Sequence, residues 1–143
     1  MVAYDATIVS EGHLQDRPRV VLADDQVGNM LLLQSLLASD FDVVATVQDG
    51  LALVDVVTRL TPDAVITDIS MPVLDGIAAA REILRRDPSA RVVFVTVHDD
   101  PTLVRRGMAV GGLGYVPKVS AGDELVPAVW AALRGERWCL CNS

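Results

Sequence analysis

The sequence predicts an α/β domain, a (βα)5 unit in which helices cover both faces of a doubly wound, five-stranded parallel sheet. Five short apolar runs, rich in β-branched residues, alternate with five segments of helical spacing. The runs are continuously apolar, as expected of parallel strands that are buried on both faces. Short connections between the segments favour the same fold class. The predicted strands are 20–23, 43–47, 64–66, 92–95 and 113–116.

The predicted helices repeat apolar residues at intervals of three and four, which places these residues on one face of each helix. The segment 103–109 has the weakest pattern of the five. Pro127 lies inside the last pattern, so we expect that helix to kink or to begin near it. The apolar sets are Met30, Leu33 and Leu37, then Leu53, Val56, Val57 and Leu60, then Ile77, Ala80 and Leu84, then Leu125, Ala128, Val129 and Ala132.

Short polar residues mark where the helices should begin. Asp49, Asp75 and Asp100 each precede a helical segment and are predicted to cap its first turn. Ser120, with Asp123 three residues later, resembles a capping box for the last helix. These signals divide the chain at the points that the apolar pattern also indicates.

Composition limits the kind of protein this chain can be. Its 143 residues are 51% hydrophobic, enough for one domain with a single core. The formal net charge of −7 would repel a phosphate backbone, so we expect no nucleic-acid binding by this domain alone. The longest uncharged stretch, 26–39, is shorter than the roughly 20 residues of a membrane helix, which predicts no membrane association.

The ends of the chain lack the patterns of the middle. Residues 1–18 read as a flexible leader without the apolar segment of a signal peptide, and 136–143 read as a C-terminal tail. The folded domain is therefore expected at 19–135. Cys139 and Cys141 are the only cysteines, and they suggest no disulfide framework, which favours a cytoplasmic location.

Polar residues follow four of the predicted strands: Asp24 and Asp25 after the first, Asp68 after the third, Thr96 after the fourth and Lys118 after the fifth. Ligands of such sheets bind outside the carboxyl ends of the strands. Each acid alone could be a helix cap or a turn residue. Two carboxylates about 4 Å apart repel by roughly 4 kcal/mol, so three at one edge predict an offsetting cation. Oxygen ligands of this kind suit Mg²⁺.

Several other chemistries lack their motifs. The sequence has no phosphate-binding loop of the G-x-x-x-x-G-K-[ST] type, no dinucleotide fingerprint and no G-x-S-x-G elbow. His98 could be a base, although a surface role is commoner for a loop histidine. A carboxylate nucleophile, a hard cation, a lysine and a threonine remain, which is the equipment for forming an aspartyl phosphate. A metal-dependent phosphohydrolase stays open as an alternative.

The same residues resemble those of a known family. The pair Asp24-Asp25, the run 68–76, Thr96 and the sequence Tyr115-Val-Pro-Lys118 are similar to the motifs of receiver domains of bacterial two-component response regulators. The end of the domain looks most like the NarL/FixJ (LuxR-type) subfamily. The resemblance implies a flavodoxin-like strand order, 2-1-3-4-5. It departs from many receivers at Val119, because proline often follows the lysine in that family.

The resemblance also implies roles for particular residues. Asp68 would be the phosphoacceptor. Asp25 would bind Mg²⁺ directly and Asp24 through water, and the backbone carbonyl of Ser70 would complete the protein ligands. Lys118 would pair first with the Asp68 carboxylate and then with the phosphoryl group.

Two further residues would act as a switch. Thr96 would donate its hydroxyl to a phosphoryl oxygen, and the ring of Tyr115 would move into the space that Thr96 vacates. The change would alter the face formed by 101–134, through which a homodimer is expected. Tyr115 could instead be an ordinary core residue.

The resemblance implies a sensor histidine kinase as the phosphoryl donor and a role in transcription regulation. No enzyme activity is expected beyond self-phosphorylation from a phosphodonor and slow autodephosphorylation. A DNA-binding helix-turn-helix domain usually follows such receivers, and the tail 136–143 is too short to hold one. A stand-alone or phosphorylation-independent interaction module is the alternative.

Overall fold

A computed structural model describes residues 7–8, 17–97 and 100–139. Within these residues, seven strands form one sheet, against which five α-helices pack. The strands are β1 (Thr7–Ile8), β2 (Arg19–Ala23), β3 (Asp42–Val47), β4 (Ala64–Thr67), β5 (Val92–Thr96), β6 (Gly114–Pro117) and β7 (Trp138–Cys139). The helices are α1 (Val27–Leu37), α2 (Gly50–Leu60), α3 (Gly76–Arg86), α4 (Pro101–Ala109) and α5 (Ala121–Leu133), and a 3₁₀ turn (Lys118–Ser120) precedes α5.

The sheet has the order β1-β3-β2-β4-β5-β6-β7. Its five central strands, β3-β2-β4-β5-β6, pair in parallel and correspond to the five predicted runs. The predicted order 2-1-3-4-5 is therefore confirmed. Each end of each central strand lies within one residue of its predicted position, because a parallel strand buried on both faces carries a strong apolar signal.

Two outer strands were not predicted. Strand β1 pairs antiparallel with β3, and β7 pairs in parallel with β6. Each is two residues long, too short for a period of two to be visible in the sequence. Together they cover part of each edge of the five-stranded sheet, which would otherwise present unpaired backbone groups.

The core lies on both faces of the sheet, as a doubly wound fold requires. Helices α1 and α5 bury Leu33 and Leu125 on one face, among the side chains of Val20, Leu22 and Val93. Helices α2, α3 and α4 cover the other face, and their buried side chains include Leu53, Ile77, Ile83 and Val104. Burial on both faces holds the strand ends in fixed relative positions.

The three aspartate caps are confirmed. Asp49, Asp75 and Asp100 have extended backbones, and the carboxylate of each accepts a hydrogen bond from a backbone N–H in the first turn of α2, α3 or α4. An extended cap residue can turn its side chain back onto those otherwise unpaired donors. Pro101 follows Asp100 as the first residue of α4, where its missing N–H costs nothing.

The expected capping box of α5 was wrong, and the helix does not begin near Pro127. Ser120 makes no capping hydrogen bond, because the chain enters the helix from a 3₁₀ turn and Ser120 is not extended (φ −103°, ψ 5°). Helix α5 begins at Ala121, well before Pro127, and runs through it. Pro127 lies on the exposed side of α5, so water can satisfy the carbonyl that loses its intrahelical partner.

Some predictions fall outside the described residues. His98, Cys141 and most of the leader 1–18 lie there. In the part of the chain that the structure describes, no helix combines the length and apolar character needed to span a bilayer.

Candidate functional site

The site forms where four neighbouring parallel strands end. Strand β2 leads into Asp24 and Asp25, β4 into Asp68, and β6 into Lys118, while β5 ends in Thr96. These strands are adjacent in the order β2-β4-β5-β6 and run in the same direction, so their carboxyl ends meet at one edge. The structure thus brings together the strand-end residues that the sequence placed at this edge.

Lys118 joins two carboxylates at the centre of this edge. Its Nζ lies 2.7 Å from Asp24 Oδ2 and 2.9 Å from Asp68 Oδ2. The second oxygen of Asp68 accepts a hydrogen bond from the backbone N–H of Ile69 at 2.7 Å, and that of Asp24 accepts one from Gln26 N–H at 2.9 Å. Both carboxylates are therefore fixed on two sides.

Burial sets the electrostatics of this centre. Asp24 is 0% exposed, and burial raises the pKa of its carboxyl, although the hydrogen bonds from Lys118 and from Gln26 N–H act in the opposite direction. Burial lowers the pKa of the Lys118 ammonium, but its hydrogen bonds to Asp24 and Asp68 more than offset this effect, and its pKa is raised. The ammonium is stable here, whereas the charge on Asp24 is costly.

The three carboxylates form a candidate metal site. Asp24, Asp25 and Asp68 each offer one oxygen, and these oxygens all lie within 4.8 Å of one another. Three negative charges against the one ammonium of Lys118 leave an excess of two, which a divalent cation would neutralise. An oxygen donor set of this kind suits Mg²⁺.

A cleft of about 620 Å³ opens beside the acids. It provides room for a ligand next to Asp25, on the side formed by the loop after β4. Ser70, whose carbonyl was expected to complete the metal ligands, lies in this wall. The lining residues are Asp25, Ile69, Ser70, Met71, Pro72, Asp75 and Leu103.

The two expected switch residues are buried in adjacent strands. Thr96 is 0% exposed at the end of β5, and Tyr115 is 4% exposed in β6. The ring centroids of Tyr115 and Phe94 are 6.5 Å apart, with the planes tilted by 52°. Because β5 and β6 are paired, with Thr96 opposite Pro117, a movement of Thr96 would also displace the backbone of β6.

The loop after Asp68 packs closely against two glycines, a role that the sequence motifs alone did not indicate for either of them. A Cβ on Gly76 would clash with the Asp68 carbonyl oxygen, and a Cβ on Gly50 would clash with the Leu74 carbonyl oxygen. Both glycines follow an aspartate cap, so the repeated Asp-Gly pair was the available signal. Only glycine allows the loop to lie this close to the first residues of α2 and α3.

Two further features shape the same loop. The buried Thr67 hydroxyl donates a hydrogen bond of 2.8 Å to the Asp68 carbonyl oxygen. Val73 has a φ of +71°, and Leu74 N–H donates to Pro72 O at 2.7 Å, which closes a three-residue γ-turn. A β-branched residue in this region is strained, so tertiary contacts must hold the loop in place.

Comparison with known proteins agrees with this geometry. Residues 20–130 match the response regulator receiver domain family. The chain is 31% identical over 123 residues to the transcriptional regulatory protein DegU of Brevibacillus brevis. The aligned region covers 85% of this chain and 52% of DegU.

Solved structures give the same result. A LuxR-family two-component response regulator from Aurantimonas sp. SI85-9A1 is similar with a TM-score of 0.82 and 31% identity, over 85% of this chain and 89% of that one. The signal receiver domain of the putative response regulator NarL from Mycobacterium tuberculosis is similar with a TM-score of 0.80 and 28% identity, over 84% and 98% of the two chains.

The chain spans 52% to 57% of the length of three transcriptional regulatory proteins that it matches, DegU among them. The family match includes Asp24, Asp25, Asp68, Thr96 and Lys118 and extends from β2 into α5. This chain therefore belongs to the response regulator receiver domain family, as a receiver domain of a LuxR/NarL-type two-component response regulator.

Proposed function

We propose that Asp68 accepts a phosphoryl group from the phosphohistidine of a sensor histidine kinase, with Mg²⁺ bound, and that this event switches an output face. The observation that carries the proposal is the Lys118 ammonium between Asp24 and Asp68, at 2.7 and 2.9 Å, beside a third carboxylate from Asp25. A stability role alone does not account for three acids gathered at one sheet edge, because they repel each other.

In the proposed transfer, one carboxylate oxygen of Asp68 forms a bond to phosphorus. The phosphorus–nitrogen bond of the phosphohistidine breaks, and its electron pair returns to the imidazole nitrogen. Lys118 Nζ then pairs with a phosphoryl oxygen, and the Thr96 hydroxyl donates a hydrogen bond to another. Water later cleaves the acyl phosphate slowly, releasing inorganic phosphate and restoring the carboxylate. Positioning and charge stabilisation carry such a reaction.

The proposed metal ligands are the carboxylates of Asp25 and Asp68 and the backbone carbonyl of Ser70, with Asp24 acting through water. When bound, Mg²⁺ would neutralise negative charge on the phosphoryl oxygens. The residues fit this role because their oxygens lie within 4.8 Å of one another and carry an excess of negative charge.

A protein donor is favoured by the surface around the acids. Val27, Val73, Val97 and Val119 lie next to the site in the chain and are 54%, 76%, 70% and 95% exposed. A small phosphodonor would gain little from these apolar side chains, whereas a helical partner could cover them. These exposed valines therefore support a phosphorylated protein as the physiological donor.

We also propose the wider role that the sequence suggested. Residues 19–135 would form the receiver, between the leader 1–18 and the tail 136–143, in the cytoplasm. Movement of Thr96 toward the phosphoryl group would leave room for Tyr115 and alter the face 101–134, where a second copy could bind. The resulting signal would control transcription through a DNA-binding domain.

The proposal is tested with Mg²⁺ and a small acyl phosphate, followed by intact-mass measurement. We expect a phosphoryl adduct in the wild type and none in Asp68→Asn. Asp75→Asn is the matched control, because Asp75 lies on the same loop and lines the same cleft. Asparagine can keep its capping role, so this variant should still form the adduct.

Other outcomes would point to the alternatives. Absence of any Asp68-dependent adduct, with the metal bound, would favour a phosphorylation-independent interaction module. Steady turnover of added phosphoesters would favour a phosphohydrolase.

A further inference from the structure

The C-terminal end of α5 redirects the chain onto the sheet edge. Gly135 has a φ of +78°, its N–H donates to Ala132 O at 2.8 Å, and Glu136 N–H donates to Ala131 O at 2.8 Å. This pair of bonds is the Schellman arrangement, in which a left-handed glycine ends the helix and reverses the chain. The reversal places Trp138 and Cys139 beside β6 as strand β7.

Backbone and side-chain bonds hold β7 in place. Trp138 N–H donates to Leu113 O at 2.8 Å, and Gly114 and Tyr115 lie opposite Trp138 and Cys139 in the strand register. The indole N–H of Trp138 donates to Glu124 Oε1 of α5 at 3.2 Å. The half-buried Trp138 also packs against the core cluster that lies between α5 and the sheet.

Strand β6 connects β7 to the acidic site. It has four residues, and Lys118 follows it directly, with its ammonium between Asp24 and Asp68. Tyr115 lies in the middle of β6, opposite Phe94 on one side and Cys139 on the other. A change in the partners of Lys118 or in the position of Tyr115 therefore acts on the strand to which β7 is bonded.

We infer that residues 135–139 form a strap whose docking on β6 and α5 is coupled to the charge state of Asp68. The strap is docked when Asp68 is a free carboxylate, and it is released when a phosphoryl group on Asp68 draws Lys118 and shifts β6. This inference rests on the proposed function. Because coupling is reciprocal, weakening the strap must favour the phosphoryl-bearing state by the same factor.

The two tryptophans provide a direct test. The indole N–H of Trp138 bonds Glu124, whereas that of Trp130 bonds Asp40 at 3.0 Å, beside Phe41, and serves as an internal control. With Mg²⁺ and beryllofluoride, which mimics a bound phosphoryl group, we expect the Trp138 indole signal in a ¹H–¹⁵N spectrum to move toward its solvent-exposed position. The Trp130 signal should stay in place.

Fluorine NMR separates the two proposals. A bound beryllofluoride signal with an unchanged Trp138 indole would overturn the strap and leave the phosphoacceptor intact. Absence of a bound signal would count against both. A Trp130→Phe variant assigns the remaining indole to Trp138.

The reciprocal test uses variants that loosen the strap. Trp138→Ala should bind beryllofluoride at least about fivefold more tightly than the wild type, the size of a typical coupling. Gly135→Ala keeps the indole and meets no atom within 4 Å, so it weakens only the left-handed turn and should shift affinity the same way. Unchanged affinity in both variants, with the fold intact by circular dichroism, would refute the coupling.

Discussion

At the scale of single residues, the negative charge of the buried Asp24 carboxylate is unfavourable in the folded state. Burial raises the pKa of the Asp24 carboxyl despite its 2.7 Å contact with Lys118. A folded state with a raised carboxyl pKa binds its proton more tightly than the unfolded state does. The contribution of this group to stability is full below the unfolded value of 3.8 and is lost as the pH rises through the folded pKa.

Asp24→Asn should therefore stabilise the metal-free protein at neutral pH. We expect the free energy of unfolding to rise, because a buried charge whose carboxyl pKa is raised by folding is removed while Lys118 keeps Asp68 as its partner, and we expect its decline above pH 3.8 to become shallower. Urea unfolding at several pH values measures both. Asp25→Asn is the control, since Asp25 lies in the same cluster but is exposed, so its charge carries no comparable burial cost. A variant at Asp24 that is less stable than the wild type at neutral pH would contradict this account.

Two helical glycines should respond oppositely to the same substitution. Gly50→Ala places a Cβ against the Leu74 carbonyl and should lower the free energy of unfolding by about 2 kcal/mol. It should also weaken Mg²⁺ binding by displacing the loop after Asp68. Gly28→Ala meets no atom within 4 Å in α1 and should stabilise by about 0.5–1 kcal/mol. Urea unfolding and Mg²⁺ titration compare the stability and the Mg²⁺ affinity of the two variants. Equal effects would contradict the close packing of the loop against Gly50.

At the scale of elements, local chemistry decides most helix starts. Asp49, Asp75 and Asp100 cap because their extended backbones aim a carboxylate at the first turn. Ser120 has a suitable side chain but a different backbone, since the 3₁₀ turn after β6 dictates how the chain enters α5. Residue type predicts a cap only where the preceding segment leaves the cap residue extended.

This difference gives a matched pair of variants. Asp49→Ala should cost about 1 kcal/mol, because the N–H of Ala52 loses its 2.7 Å bond to the Asp49 carboxylate. Ser120→Ala removes no capping bond and should change stability by less than about 0.5 kcal/mol. Thermal or urea unfolding compares them, and a comparable loss in Ser120→Ala would mean that the serine caps α5 after all.

At the scale of the whole molecule, both edges of the parallel sheet are partly covered from the two ends of the described chain. Strand β1 covers β3 with antiparallel pairs, and β7 covers β6. The covered edges protect the sheet from pairing with other chains. The candidate site lies at the carboxyl ends of four strands, away from the two edges that β1 and β7 cover. A ligand bound there therefore contacts several central strands at once.

Metal binding should therefore stabilise the entire fold. Mg²⁺ at about 100 times its Kd should raise the free energy of unfolding by about 2.7 kcal/mol, measured by thermal unfolding against sodium chloride of equal ionic strength. Asp25→Asn should lose this gain, because Asp25 is one of the three clustered carboxylates. An equal gain in Asp25→Asn would place the cation elsewhere.

The sequence by itself determined the five central strands, the helices between them, three of the caps and the residues at the strand ends. These follow from local rules, because burial on both faces requires continuous apolar runs and a helix start requires a short polar side chain. Packing alone decided that Lys118 also contacts Asp24, that Gly50 supports the loop after Asp68, and that Trp138 adds a strand beside β6. Each of these contacts joins residues far apart in the chain, and no local periodicity encodes the distance between them.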